Sequence, residues 1–433
     1  MRFLAAQSLR ATSLVGQHAK SLFAVGIKIN GAVFSFLVTF LIARASGATV
    51  TGYYSMALVT VNMAATIGII GLDLILIRVV AGELRVGRPD LAWAGLRRVS
   101  LMVGSASLVL SILLFALAGY GPEIGVNVET VRAASPAVFA VAMLRISVVS
   151  LRAHGSILLS QFLDSAHNFT LVLLLGAYLW FNDFGFVRGQ TLAIFYTSVV
   201  YLSAIVGWTF LYRRTRHWER GAKNEHPLLG ASWKILLTTA SQALTAWVIL
   251  AQVGAMLGAE EVGAYRTAAQ IVTTIQLMTT TLSNISAPEI AGHFRARDLK
   301  GAWRTYKQTT ILMILAAGVP ATICLLMPQV LLGIFGPEFV IAASALMIMA
   351  LGQVVSAAAG PMGTMTVMSG NEDLSMILAI VFLFVSAGLA ALLVPPFGMV
   401  GAATAGATAT ISRNIITVLI LRRRLRRYVA AEG

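Results

Sequence analysis

Three basic residues lie well inside long apolar runs of this 433-residue chain: Lys28, Arg145 and Arg413. An ionisable side chain in hydrocarbon costs about 2.5 to 3.5 kcal/mol on insertion scales, so such residues usually face a wet cavity or a partner. Lysine and arginine are also the side chains that match phosphate and carboxylate groups. We therefore predict that these three residues bind an anion in a hydrated cavity within a membrane.

Three further arginines, Arg44, Arg78 and Arg266, lie close to the ends of apolar runs. Their side chains can extend to the lipid headgroups while the aliphatic part stays in the apolar region. They can equally contribute to the anion-binding cavity, and we treat them as weaker candidates for it.

Two acids lie within the apolar runs, Asp73 and Asp164. Asp164, His167 and Asn168 have the spacing i, i+3 and i+4, which places them on one face of a helix. A carboxylate beside an imidazole can relay a proton, because the charge of each depends on the other. A neutral, hydrogen-bonded helix contact fits the pattern equally well. Asp164 with His167, or Asp73, is the predicted site of coupling to a proton or sodium gradient.

Polar side chains also recur at helical spacing along two neighbouring runs, one containing Gln252 and the next containing Gln270. Such stripes can hydrogen-bond neighbouring helices to each other, or they can line a polar groove. We predict the second role and include Gln252 and Gln270 among the ligand-contacting residues. The stripes are Thr238, Ser241, Thr245 and Gln252 in the first run, and Arg266, Gln270, Thr273, Thr280 and Asn284 in the second.

The elements that position these residues are predicted to be membrane-spanning helices. The chain is 58% hydrophobic and 11% charged, whereas a soluble domain carries roughly 25% charged residues. A helix needs roughly 20 apolar residues to cross the hydrocarbon core. The tenth span is long, and Gly360–Pro361 is the predicted place of a break in it. The twelve predicted spans are 21–43, 53–77, 99–119, 133–151, 157–181, 190–212, 234–257, 264–288, 308–327, 339–368, 375–394 and 401–421.

The net charge of +15 follows the predicted topology. With both termini in the cytoplasm, the cytoplasmic segments hold 25 of the 32 lysines and arginines, and the opposite side holds only Arg44, Arg132, Arg188 and Arg266. An excess of basic residues marks the cytoplasmic side of a membrane protein. The charge therefore indicates orientation in a membrane, and it does not indicate a nucleic-acid-binding face.

A short motif occurs twice, 211 residues apart, between two long apolar runs. The pattern G-A-x-x-x-G-x-Y begins at Gly47 and again at Gly258. Two further pairs agree: Ala81-Gly82, Arg85 and Trp93 recur as Ala291-Gly292, Arg295 and Trp303, and Gly121-Pro122-Glu123 recurs as Gly336-Pro337-Glu338. Three ordered repeats at nearly one offset indicate an internal duplication.

The duplication predicts an all-α membrane protein of two six-helix lobes. Because six is an even number, both halves enter from the same side, and their pseudo-twofold axis runs along the membrane normal. The predicted segments are a cytoplasmic N-terminal segment 1–20, an N-lobe 21–212, a basic cytoplasmic linker 213–233, a C-lobe 234–421 and a basic cytoplasmic tail 422–433.

No pattern in the sequence predicts catalysis. The chain has no Gly-rich phosphate loop, no His/Glu cluster with metal spacing, and a single cysteine, Cys324. The longest predicted outer connection, 119–132, is too short to form a domain with paired acids for sugar transfer. We therefore expect neither enzymatic activity nor a metal or cofactor beyond the coupling ion.

The residues Phe40-Leu41-Ile42-Ala43-Arg44, followed by Gly47 and Gly52-Tyr53-Tyr54, resemble the start of polysaccharide-biosynthesis flippases. Lys28 and Asn30 belong to the same opening pattern, and Phe335-Gly336-Pro337-Glu338-Phe339 is similar to the second half of that family. The family lies within the multidrug/oligosaccharidyl-lipid/polysaccharide exporter superfamily.

The resemblance implies two six-helix lobes in a V shape that work by alternating access. It implies transfer of a polyprenyl-diphosphate-linked oligosaccharide from the cytoplasmic to the periplasmic leaflet of a bacterial inner membrane. The expected partners are this lipid-linked oligosaccharide and the membrane lipids, with a polysaccharide polymerase and a chain-length regulator as candidates and no nucleic acid.

Two other function classes remain as alternatives. A cation-coupled multidrug antiporter shares the twelve-span plan, but the excess of Lys28, Arg145 and Arg413 over Asp73 and Asp164 favours an anionic ligand. A membrane-embedded polymerase or glycosyltransferase requires catalytic acids or a large outer loop, neither of which we find.

Overall fold

The computed structural model describes residues 2–120, 127–183, 185–218, 229–296, 298–368 and 371–432, and in these residues the chain is helical and contains no strand. Two short 3-10 helices, Ala118–Tyr120 and Pro337–Ala342, accompany the α-helices. The α-helices are α1 Arg2–Gly68, α2 Leu72–Arg85, α3 Pro89–Leu117, α4 Val128–Ala134, α5 Ala137–Ala153, α6 Ile157–Phe181, α7 Gly189–Thr215, α8 Leu229–Met256, α9 Ala259–Arg295, α10 Leu299–Leu326, α11 Pro328–Gly333, α12 Ala343–Ala358, α13 Met362–Met368 and α14 Glu372–Glu432.

Helices α1 and α14 each contain two consecutive spans joined at a glycine with positive φ, Gly47 (φ 73°) and Gly398 (φ 57°). Among the described residues, nine segments are long and apolar enough to cross a membrane, and two of them hold both spans of α1 and of α14. Helix α9 is not among the nine, because polar side chains follow one another along it. Counting each half of α1 and α14, and adding α9, gives twelve crossings, which confirms the predicted number.

Three spans are interrupted within their length. The tenth ends as α12 at Ala358 and resumes as α13 at Met362, so the break at Gly360–Pro361 is where the sequence predicts it. The fourth is divided into α4 and α5. The second, predicted as one continuous helix over 53–77, is in fact broken between α1 and α2, where Ile70 (φ 56°) and Gly71 (φ 66°) both have left-handed backbone. Gly71 faces the carbonyl of Ser232 so closely that a Cβ would clash with it.

The duplicated motif forms the contact between the two lobes at one end of the bundle, which we call the outer end. A Cβ at Gly52 would collide with the carbonyl of Ala259, and a Cβ at Gly263 would collide with the carbonyl of Ala48. Each copy of the motif therefore packs its glycine against the backbone of the other copy. This reciprocal contact is what a twofold relation between the halves requires, and it brings the lobes together at the outer end.

Further interlobe contacts continue from the outer end into the bundle. The Nε1 of Trp247 donates to the Oγ1 of Thr60 at 2.9 Å, which joins α8 to the second span. The contacts that α1 makes with α8 and α9 form the seam between the lobes.

The opposite end, which we call the inner end, carries the turns at Gly87 and Ala296 and most of the basic residues. Lys234 and Asp373 form an ion pair there at 2.7 Å, joining the start of α8 to the start of α14. Asp298 caps α10, because its carboxylate accepts a hydrogen bond from the backbone N–H of Gly301. This bond lowers the pKa of the carboxyl, and the Nδ1 of His293, 2.9 Å from the Oδ2 of Asp298, lowers it further.

The predicted N-terminal segment and tail belong to long helices, and the predicted linker is described only in part. Helix α1 begins at Arg2, so residues 2–20 of the predicted N-terminal segment belong to the same helix as the first span. Of the predicted linker 213–233, residues 219–228 lie outside the described part of the chain. The predicted tail 422–433 continues α14 as helix to Glu432.

Candidate functional site

A cavity of 690 Å³ lies within the second lobe. Its walls come from α8, α9, α10, α12, α13 and α14, and the broken tenth span contributes Gly360 and Pro361 directly to them. Its lining is rich in serine, threonine, asparagine and glutamine side chains. These are Thr238, Gln242, Thr245, Thr273, Gln276, Thr279, Thr280, Ser283, Asn284, Gln353, Ser356, Thr364, Ser375, Thr410, Asn414 and Thr417.

The cavity has one fixed charge among its described lining residues, the guanidinium of Arg413 on α14. No aspartate or glutamate is among those residues. Arg413 is half-buried, and it forms no ion pair within the described part of the chain. The cavity is therefore polar, net positive and suited to an anion that also carries many hydroxyl groups.

Three glutamines present free amide groups to this cavity, Gln242 on α8, Gln276 on α9 and Gln353 on α12. Within the described residues none of the three side chains has a hydrogen-bond partner, whereas the side chain of Asn414 donates to Ser356 at 2.8 Å. A free amide offers both a donor and an acceptor to a ligand. The three glutamines therefore form the part of the wall that is available for hydrogen bonding.

The threonines of the wall are less available. The hydroxyl groups of Thr245, Thr273 and Thr417 donate to the carbonyl oxygens four residues earlier in their own helices, at 2.7 to 2.8 Å. Ser283 and Thr364 bond to each other at 2.6 Å, which fixes α13 against α9. These side chains give the wall its polarity and its shape, and each hydroxyl oxygen can still accept a hydrogen bond.

The break in the tenth span is held in place from α10. The hydroxyl of Tyr306 donates to the carbonyl of Ala359 at 2.6 Å, and this bond satisfies a carbonyl that the interrupted helix leaves without a backbone partner. Gly360 has φ 69° and packs against Thr310. Irregular backbone within a membrane protein is tolerated where it is buried in protein or lines a cavity, and here Gly360 and Pro361 line the cavity.

In the first lobe the structure brings together two residues that the sequence analysis assigned to different roles. The Nε of Arg145 lies 3.3 Å from the Oδ2 of Asp73, and the side chains are 56% and 10% exposed. Arg145 is the single exposed residue of α5, a helix that packs against α1, α2, α3, α6 and α7. Asp73 lies in the first turn of α2, two residues after the interlobe contact of Gly71. The pair therefore lies beside the seam between the lobes.

The remaining predicted basic residues do not join the cavity. Arg44 donates from Nε to the carbonyl of Ile334 at 2.8 Å and thereby bridges the lobes at the outer end. Arg78 is exposed on α2, and Arg266 is half-buried on α9 outside the cavity lining. Lys28 is part of α1, but its side chain lies outside the described residues.

The two predicted glutamines join helices instead of lining the cavity. Gln270 donates to the hydroxyl of Ser35 at 3.2 Å across the seam. Gln252 donates to the carbonyl of Ala387 at 3.1 Å, joining α8 to α14. Of the two predicted stripes, Thr238, Thr245, Thr273, Thr280 and Asn284 do line the cavity.

Asp164 and His167 both lie on α6, beside the first span. Asp164 is exposed, while the Nδ1 of His167 is buried without a hydrogen-bond partner in the described structure. No ion pair joins the two side chains within the described residues. Asp73 and Asp164 thus differ, because Asp73 has a cationic partner and Asp164 has none in that part of the chain.

Gln242, Gln276 and Gln353 line the cavity but are not among the residues predicted from the sequence. A signal for two of them was present, because Gln242 lies between Thr238 and Thr245 at helical spacing, and Gln276 lies between Thr273 and Thr280. Gln353 lies in a mostly apolar run with one cavity-lining neighbour at helical spacing, Ser356, so the sequence signal for it is weaker.

Comparisons with known proteins agree with this architecture. The family model described as polysaccharide biosynthesis protein matches residues 19–288, more than half of the chain. No curated protein matches the chain.

Three solved structures share the fold. A multidrug resistance MATE family transporter of the MOP superfamily, in an inward-facing conformation, is 13% identical with a TM-score of 0.77, covering 93% of this chain and 96% of its own. The lipid II flippase MurJ, in an inward closed conformation, is 12% identical with a TM-score of 0.74, covering 93% and 87%. An outward-facing MATE family transporter is 15% identical with a TM-score of 0.65, covering 93% and 94%.

Proposed function

Because this chain belongs to the polysaccharide biosynthesis protein family, we propose that it is a flippase for a lipid-linked oligosaccharide. The cargo is an oligosaccharide repeat unit on a polyprenyl diphosphate, and it passes from the cytoplasmic to the periplasmic leaflet of a bacterial inner membrane. Both termini lie in the cytoplasm. The lobes alternate between closure at the outer end, as seen here, and closure at the inner end.

The observation that carries this proposal is the chemistry of the cavity in the second lobe. A glycan presents hydroxyl groups in all directions, and the cavity lining is dominated by hydroxyl and amide side chains. The single charged group in the described lining is Arg413, and no carboxylate is among those residues, so the cavity accepts neutral or acidic sugars. A cationic drug would find no carboxylate in that lining to pair with, so the cavity gives less support to a multidrug antiporter.

The parts of the cargo are assigned to different regions. The glycan occupies the cavity, and the polyprenyl tail stays in the lipid, where its transfer into a polar site would be unfavourable. The diphosphate binds at the seam between the lobes, where Arg145 is exposed in the first lobe, and Lys28 contributes from α1. Arg44, Arg78 and Arg266 are secondary candidates for contact with anionic groups during passage.

Coupling to an ion gradient uses the acids of the first lobe. Asp73 is the stronger candidate, because its proton or sodium occupancy sets whether Arg145 is paired or free to bind the diphosphate. Asp164 with His167 is the second candidate. No cofactor other than the coupling ion takes part.

Reconstitution in liposomes tests this function directly. The purified chain is placed in vesicles containing undecaprenyl diphosphate that carries a disaccharide labelled with a dithionite-sensitive fluorophore. We expect dithionite to quench nearly all of the label in vesicles with protein and about half in protein-free vesicles, because flipping exposes the inner-leaflet pool. Equal quenching in both, combined with ethidium uptake that depends on the protein, would replace this proposal with a drug antiporter.

A further inference from the structure

We infer, on the premise of the proposed flippase function, that the cavity in the second lobe selects a glycan bearing one carboxylated sugar. Arg413 binds the carboxylate, and the free amides of Gln242, Gln276 and Gln353 bind the hydroxyl groups of that sugar and its neighbour. The diphosphate does not bind in this cavity. The predicted function alone leaves the charge of the sugars open.

The charge of the cavity matches one carboxylate better than it matches a diphosphate. A diphosphate carries about two negative charges at neutral pH, and phosphate sites in proteins usually combine several cationic or N–H donors. The described cavity lining offers one guanidinium and no second cation. One guanidinium matches one carboxylate in a planar, bidentate arrangement. A single uronic acid therefore satisfies the charge of the cavity.

The described residues provide no counter-charge for Arg413. A half-buried arginine in a membrane protein is expected to have a carboxylate partner or a wet cavity. Arg413 has no ion pair in the described part of the chain, and no acid is among the described lining residues. Arg145, by contrast, already has Asp73 at 3.3 Å. Arg413 is therefore the guanidinium whose counter-charge must come from the ligand.

The free amides line the same cavity as Arg413 and can bind the hydroxyl groups of a sugar. Gln242, Gln276 and Gln353 belong to three different helices and face the same cavity as Arg413. Sugar hydroxyls donate and accept at once, and a primary amide is their complement because it also does both. The bond from Asn414 to Ser356 at 2.8 Å fixes α14 against α12. The helices that carry Arg413 and Gln353 are therefore held against each other.

The volume of the cavity fits a short oligosaccharide. The volume of 690 Å³ falls in the middle of the range of about 300 to 1,000 Å³ that is usual for small-molecule sites. A cavity of this size holds a short oligosaccharide. It cannot hold a polyprenyl chain as well, which agrees with the tail remaining in lipid.

The test uses two cargoes that differ only in one group. Both are undecaprenyl diphosphates with a labelled disaccharide; the outer sugar is glucose in one and glucuronic acid in the other. Flipping is measured in proteoliposomes for the wild-type chain, Arg413→Gln, Arg413→Lys and Arg145→Gln. All variants are first checked for monodispersity and thermal stability, so that a misfolded variant is recognised.

We expect Arg413→Gln to slow the glucuronate cargo by about tenfold or more, which is the loss typical of a charge-assisted hydrogen bond, and to leave the glucose cargo within about twofold. Arg413→Lys restores part of the rate, since it keeps the charge and loses the bidentate geometry. Arg145→Gln slows both cargoes, because both carry the diphosphate. Equal slowing of both cargoes by Arg413→Gln, or no slowing of either, overturns the inference.

A binding measurement separates this inference from the flippase proposal. The affinity of each lipid for the detergent-purified wild type and for Arg413→Gln is measured by microscale thermophoresis. If neither cargo is flipped but the glucuronate lipid binds the wild type more tightly than it binds the variant, the selectivity stands and the transport proposal fails. If both lipids bind the two proteins with equal affinity, the selectivity is rejected, whatever the flipping rate.

Discussion

Arg145 and Asp73 form a contact at 3.3 Å, and the proposed function assigns a joint role to the pair. Arg145 is more than half exposed, so the interaction with Asp73 is screened and modest in strength. Under the proposed function a modest interaction is useful, because an incoming diphosphate can compete with Asp73 for the guanidinium of Arg145. Neutralising Asp73 removes the competitor and increases the positive charge beside the seam.

A substitution at Asp73 separates binding from coupling. We expect Asp73→Asn to bind the anionic lipid more tightly than the wild type and to lose the acceleration of flipping by an imposed pH or sodium gradient, because the amide cannot bind a cation as a carboxylate can. The matched control is Asp164→Asn, at an exposed acid without an ion pair in the described residues. The measurement is the flipping rate with and without the gradient. Full acceleration in Asp73→Asn, with loss in Asp164→Asn, would move the coupling site to α6.

Sequence reasoning at this scale identified residue types better than partnerships. It placed Asp73 and Arg145 in the membrane but not together, since they are 72 positions apart and only the packing of α2 against α5 joins them. It also read Gln252 and Gln270 as ligand contacts, whereas both donate to other helices. A polar residue on a membrane helix can serve either purpose, and the choice depends on which helix lies opposite.

The broken tenth span shows the same contrast for an element. The dipeptide Gly360–Pro361 predicts the break, because proline removes a backbone donor and glycine adopts the left-handed conformation. The break in the second span has no proline, and its Ile70 adopts φ 56°, a value that a β-branched residue rarely takes. Beside it, a Cβ at Gly71 would clash with the carbonyl of Ser232, so the break lies at a contact between the lobes, and no local pattern predicts such a contact.

Two glycines three residues apart allow a controlled test of the break. We expect Gly360→Ala to lower the free energy of unfolding by about 1 to 2 kcal/mol from the positive φ alone, and by more because its Cβ would meet Thr310. Gly363→Ala lies beside the same cavity, and nothing within 4 Å meets its Cβ, so it should be neutral or slightly stabilising. Thermal unfolding in detergent measures both. Equal melting temperatures would show that the break tolerates an ordinary residue.

The whole molecule is closed at the outer end in the conformation described here. The reciprocal packing of Gly52 and Gly263 leaves no space for a side chain between the lobes, and the bond from Arg44 to Ile334 adds to the closure. The repeated motif predicted two equivalent turns, but not that each turn is the packing surface of the other.

Enlarging one glycine should shift the conformational equilibrium. Leucine at Gly52 cannot fit against Ala259, so we expect Gly52→Leu to disfavour closure of the outer end, whereas Gly176→Leu, with open space around its Cβ, should not. The probe is a cysteine at Ser35, which bonds to Gln270 across the seam, in a Cys324→Ser background. A membrane-impermeant maleimide added from outside should label it several-fold faster in Gly52→Leu. Identical labelling in both variants would contradict this role of the contact.

Helix α9 has low hydrophobicity for a span, because several of its polar side chains line the cavity. Its Thr273, Gln276, Thr280 and Asn284 all face the cavity, and the helix is not among the nine segments apolar enough to cross a membrane by themselves. During synthesis, transfer of such a segment by itself from the translocon into the lipid has a small favourable free energy. We therefore expect it to enter the bilayer together with neighbouring helices, so the polar wall of the cavity also constrains the order in which this chain is inserted into the membrane.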